Sequence, residues 1–134
     1  MTPKADKVKT TAADKHVMAG RLAKAKQFLQ VAEDARELAS DEAVIDAVVT
    51  LYVHAGIAAA DAICAKNLNK HAQGENHNAA VDLLASVDKD AAKHLSTLLK
   101  MKSRAGYGHD SVSHRNLTSA ERAATQLVAI ASEG

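Results

Sequence analysis

Cysteine, proline and aromatic residues are nearly absent from this chain, and each shortage narrows what it can be. Cys64 is the only cysteine, so no intramolecular disulfide can form. The only proline, Pro3, stands at the start of the chain, which leaves every later segment free of the strongest helix breaker. Tryptophan is missing, and Phe28, Tyr52 and Tyr107 are the only aromatics. The apolar fraction is carried by Ala, Leu and Val, a composition that favours close-packed helices over a sheet. With no secretory signal and no long apolar span in view, a cytoplasmic location and no membrane segment are expected.

What is present fits one domain: 134 residues are enough to bury a real core. The net charge is only +1, but it is unevenly spread. Lys4, Lys7, Lys9, Lys15, Arg21, Lys24 and Lys26 outnumber Asp6 and Asp14 near the start. Between Glu33 and Asp61 the sign reverses, with Arg36 the only lysine or arginine. Lys93, Lys100, Lys102, Arg104 and Arg115 then form a second basic cluster, opposed by Asp110. The expected result is a molecule with a basic end and an acidic flank.

Residues 1–13 lack an apolar period and read as a basic flexible arm, able to grip phosphates or simply solvated; residues 14–134 read as a single helical domain. Asp14 is a helix N-cap in position. From there to Ala39, Met18, Leu22, Ala25, Leu29 and Ala32 step by four, three, four and three, a seam widened by Val17, Phe28, Val31, Ala35 and Leu38. Ser40 is placed to cap a second helix, with Asp41 and Glu42 in its first turn. Its stripe runs from Ile45 through Tyr52, Gly56 and Cys64 to about Asn67. The short connector predicts an antiparallel hairpin, and Gly56 with the alanines at 58–60 predicts close helix contact.

Residues 69–76 read as a polar loop, 79–85 as a short helix, and 88–102 as a longer one with Ala91, Leu95, Leu98 and Met101 inward. A glycine-bearing turn follows at 102–109, then an irregular stretch at 110–117. Thr118 with Glu121 forms a capping box that opens the last helix, which buries Ala120, Ala123, Ala124, Leu127, Val128 and Ala131. No segment alternates as a strand should and no repeat recurs. The expected fold is all-α, an antiparallel bundle of four to five helices with a long N-terminal helical hairpin.

Among chemically able residues, seven histidines include no pair at the one-turn spacing that sets two imidazoles on one helix face, so no metal site and no cofactor are expected. Cys64 lies on an apolar stripe and reads as a buried thiol. His54 reads as packed and His94 as a surface residue. Gly106 and Gly108 follow no strand, which excludes a dinucleotide fingerprint. Arg104 and His109 are the remaining pair. A fixed cation beside a proton-transfer group suits a phosphodiester.

Two segments carry a family resemblance. The run Gly74-Glu75-Asn76-His77-Asn78-Ala79-Ala80-Val81-Asp82-Leu83-Leu84, then a helix leading into Arg104-Ala105-Gly106-Tyr107-Gly108-His109, resembles the HEPN domains, and small stand-alone actinobacterial members in particular. The resemblance implies an α-helical homodimer and, in many members, a metal-independent endoribonuclease whose motif is Arg, four to six residues, then His. On this chain Arg104 and His109 would be the catalytic pair, with Lys102, Tyr107 and Arg115 available to hold RNA. A toxin or defence role, with an antitoxin or other protein partner, is implied equally. Ala105 departs from the polar residue that active members carry after the arginine, and Ala105-Gly106-Tyr107 is similar to a segment of non-catalytic members. The resemblance therefore leaves two readings open. One is a ribonuclease; the other is a non-catalytic dimeric module binding a nucleotide, nucleic acid or protein, with Arg104 or Lys102 a structural cation and Tyr107 packed under the turn.

Overall fold

A computed structural model describes residues 9–38, 44–74 and 76–133. Among these, five helices pack as a bundle: α1 (Lys15–Leu38), α2 (Ile45–Leu68), α3 (His77–Ala85), α4 (Lys89–Tyr107) and α5 (His114–Ser132). The all-α bundle and its long α1–α2 hairpin are as expected.

At the centre lies α2. Fourteen of its residues are buried, around most of its circumference, as an all-round apolar helix requires. It is long and apolar enough to cross a membrane, which the expectation of no long apolar span overlooked, but here its faces are covered by α1, α4 and α5. Gly56 explains how closely they approach. A Cβ at this position would fall 2.2 Å from Leu98 Cδ1 and 3.3 Å from Leu127 Cδ1.

The outer helices contribute stripes to the same core. From α1, Ala25 and Ala32 are fully covered, with Met18, Leu22 and Leu29 packed beside them. The seam is thus narrower than its sequence suggests, since Val31 is 52% and Leu38 87% exposed. Leu95, Leu98 and Leu99 of α4 and Leu117, Leu127 and Val128 of α5 close the other side.

Local capping sets most helix starts. Asp14 Oδ1 accepts from the Val17 amide at 2.9 Å, Asn76 Oδ1 from Ala79 at 3.0 Å, and Asp88 Oδ1 from Ala91 at 2.9 Å. Each satisfies a donor that the first helical turn leaves free. The Ser40 cap, with Asp41 and Glu42, lies outside the described residues; α2 begins at Ile45 behind Val44, which makes no side-chain cap bond. The Thr118–Glu121 capping box is not a helix start. Ser113 caps α5 instead, accepting from Asn116 at 3.1 Å, so 114–117 is helical and Thr118 lies one turn inside.

A small sheet is the unpredicted element. Strand β1 (Thr10–Ala12) pairs antiparallel with β2 (Lys70–Ala72) in the register Thr10 to Ala72 and Ala12 to Lys70. The Ala13 amide adds a bond to Asn69 O at 2.9 Å, and Ala13 is 3% exposed. The described end of the expected arm is therefore fixed, and the loop at 69–76 is half strand. The α2 C-terminus turns into it through Asn69 at φ 58°, whose amide donates to Ala65 O. Asparagine tolerates this left-handed conformation better than most residues.

Candidate functional site

The expected turn at 102–109 is mostly helix. α4 continues through Arg104, Ala105, Gly106 and Tyr107 and stops at Gly108, whose amide donates to Ser103 O at 3.0 Å and Arg104 O at 3.2 Å. A Cβ at Gly108 would meet Arg104 O at 2.9 Å, so the absence of a side chain there permits the tight exit. Gly106 has open space around it. The chain is caught again at Val112, which is 2% exposed and whose amide donates to Asp46 Oδ1 at 2.8 Å. Asp46 thereby ties this connection to the start of α2.

Between those anchors the expected catalytic residues face solvent. The His109 side chain is 98% exposed, with Asp110 Oδ2 4.0 Å from its Nε2. Arg104 is exposed in the last turn of α4 and has no ion pair among the described residues. The two residues are not joined by a hydrogen bond within the chain. Tyr107 is 86% exposed, which corrects the expectation that it packs under the turn. Arg115 is exposed in the first turn of α5, and Lys102 is half-buried.

The helix itself organises the cations. Lys89, Lys93, Lys100 and Arg104 are all exposed and step by four, seven and four residues, with Tyr107 three further on. These spacings keep them on one face, a stripe of about 22 Å between Lys89 and Arg104 at 1.5 Å per residue. None of the four cations has an ion pair among the described residues.

A second site was not anticipated. Asp61 is the one lysine, arginine or carboxylate side chain between Asp46 and Lys66 in α2, a signal that could have been read. Arg21 of α1 reaches it with Nε at 3.0 Å and Nη2 at 2.8 Å from Oδ2. His71 of β2 brings Nδ1 to 3.9 Å from Oδ1 and bonds Ala72 O at 2.9 Å. Because a carbonyl only accepts, Nδ1 carries the proton. Burial raises the Asp61 pKa, and Arg21 and His71 offset this only in part.

Beside Asp61 opens a cleft of about 140 Å³ between α2, β2, α3 and α4. Ile57, Cys64, Leu95 and Leu99 form apolar walls, and Asp61, Asn76, His77 and Lys102 supply its polar groups. Burial pushes the Cys64 thiol up to about 12, so it remains protonated and a poor nucleophile at neutral pH.

A third cluster is structural. The buried Tyr52 hydroxyl donates to Glu121 Oε2 at 3.2 Å, and Arg36 Nη1 lies against Glu121 Oε1 as an ion pair. Burial raises Glu121, but hydrogen bonds involving Arg36 and Glu33 bring it below the usual carboxylate range. Glu33 shifts up through burial and the Glu121 charge. His54 is exposed and stacks on Phe28 with ring centroids 5.4 Å apart, while His94 is half-buried, the reverse of the expected roles.

Among the described residues no group of three His, Cys, Asp or Glu side chains gathers as a metal-ligand set. No protein-family model matches this chain, and no curated protein matches it at a significant level.

Proposed function

We propose that this protein is an HEPN-like RNA-binding module that works as a homodimer and holds single-stranded RNA along the outer face of α4. The observation that carries the reading is the exposed stripe from Lys89 to Arg104, without an ion pair among the described residues and ending in the solvent-facing ring of Tyr107. Cations track a phosphate backbone, and an exposed aromatic beside them is a surface for an unpaired base.

A chain that neutralises about four phosphates loses affinity with a slope near −3 in log K against log salt, at roughly 0.7 per contact on a single strand. Fluorescence anisotropy with labelled single-stranded RNA across a salt series measures it. Arg104→Ala lowers the slope by about 0.7, and Tyr107→Ala weakens binding by about 1–3 kcal/mol. Unchanged affinity in the combined Lys93→Ala, Lys100→Ala, Arg104→Ala variant rules the reading out.

Endoribonuclease activity is the second reading, favoured by Arg104 and His109 lying free at the same end of α4. Arginine would hold the scissile phosphate while histidine moves protons between the ribose hydroxyl and the leaving oxygen. A second copy would have to close the site, because no hydrogen bond among the described residues orients His109. Incubation with structured RNA in the presence of chelator, beside His109→Ala, decides this. Cleavage by the parent protein alone, leaving a cyclic phosphate, supports the enzyme; equal cleavage by both leaves the non-catalytic module, with an antitoxin or other protein as its further partner.

A further inference from the structure

We infer that the cleft between α2, β2, α3 and α4 binds a small organic monocarboxylate, its head against Lys102 and its short apolar body on the walls below. This does not rest on the RNA reading. The stripe that binds RNA and the cleft occupy different faces of α4. Lys102 stands seven residues beyond Leu95 and three beyond Leu99, steps that follow the core side of the helix, so a lysine terminates an otherwise apolar row.

The polar groups around the cleft favour a single negative charge. Lys102 has no ion-pair partner among the described residues. Asn76 accepts from Ala79 through Oδ1, which leaves its amide NH₂ as a donor, and His77 offers a second polar group. Asp61, the one carboxylate among the described residues that line the cleft, is already engaged by both Nε and Nη2 of Arg21. Its proximity disfavours a dianion such as phosphate while leaving one charge for Lys102 to meet. A lysine that lines the cleft and has no ion pair among the described residues is available to the single negative charge of a ligand.

Size sets the rest of the ligand. A volume of about 140 Å³ exceeds the roughly 10–15 Å³ that holds a single water and falls below the roughly 300 Å³ at which drug-sized pockets begin. A chain of a few carbons or one small ring fits that range. Ile57, Cys64, Leu95 and Leu99 give it an apolar surface, and the protonated Cys64 thiol behaves there as a small hydrophobe.

Calorimetric titration and amide chemical-shift mapping of the full chain with hexanoate, hexanol, hexylamine and inorganic phosphate test the inference. Hexanoate is expected to bind and to shift amides of Cys64, Ala80 and Leu99. Lys102→Met should weaken hexanoate about tenfold or more, the loss of one charge-assisted hydrogen bond, and Ala80→Phe, which fills the cleft while keeping the lysine, should abolish binding. The proposal is overturned if hexylamine, hexanol or phosphate binds as well as hexanoate. Equal hexanoate affinity in Lys102→Met, or no response to hexanoate at millimolar concentration, overturns it too.

Discussion

Two places in this molecule combine an arginine, a histidine and a carboxylate, one set gathered in space and the other only along the chain, and they are held very differently. Arg21, Asp61 and His71 come from α1, α2 and β2; the Arg21 and Asp61 side chains are 29% and 17% exposed and 2.8 Å apart. Arg104, His109 and Asp110 are near neighbours in sequence, yet the His109 and Asp110 side chains are 98% and 77% exposed and 4.0 Å apart. Closeness along the chain supplied no orientation. Partners from three elements did, because each is fixed by packing before the charges meet.

Substitution at the two sites should separate them most clearly. Arg21→Ala strands the half-buried Asp61 carboxylate and is expected to cost about 1–3 kcal/mol, since a charged acceptor loses its donors. A lower urea midpoint at unchanged m would register it; a midpoint equal to the parent's would mean the inner cluster is no better held than the outer one. Tyr52→Phe removes one hydrogen bond to Glu121 and should cost about 1 kcal/mol. The same urea titration reads it.

Acid titration sharpens the contrast within the buried set. Asp61 has a folded pKa above its unfolded value, so its contribution is fully present below the ordinary carboxylate pKa and is lost as pH rises through the folded value. Glu121 is shifted down; its contribution is present above the ordinary pKa and is lost as pH falls through the folded value. Stability measured from about pH 3 to 7 should therefore change with opposite slopes in Asp61→Asn and Glu121→Gln, each relative to the parent. Identical profiles would contradict the assigned shifts. The smallest effect belongs to the outer site, where Arg104→Ala should move stability by no more than about 0.5 kcal/mol, and a larger loss in the urea midpoint would show that Arg104 is a structural cation after all.

Features that depend on neighbours in sequence were legible. Asp14 caps the helix that follows it, and the stepped apolar rows of α1 and α5 name most of their buried residues. Misreadings arose where a distant partner competed for a residue. Thr118 and Glu121 have the spacing of a capping box, but the Glu121 carboxylate is taken by Arg36 and Tyr52, and Ser113 caps α5 four residues before Leu117, its first buried residue. Gly106 looked like a break because glycine weakens helices, yet one exposed glycine costs only about 1 kcal/mol, and Gly108 provides the real exit. The β1–β2 pairing joins segments about sixty residues apart, and no local pattern encodes it.

The order of residues alone specifies the all-α class, the long hairpin and the close approach at Gly56, because composition, apolar period and missing side chains act at short range. It also named the candidate pair Arg104 and His109, though not how they stand. The folded arrangement settles the rest: the pair is exposed, α4 carries a cationic stripe without ion pairs among the described residues, and Asp61 and Lys102 line one cleft. Charge, burial and access depend on which elements cover a residue, and that covering is assembled from parts of the chain far apart.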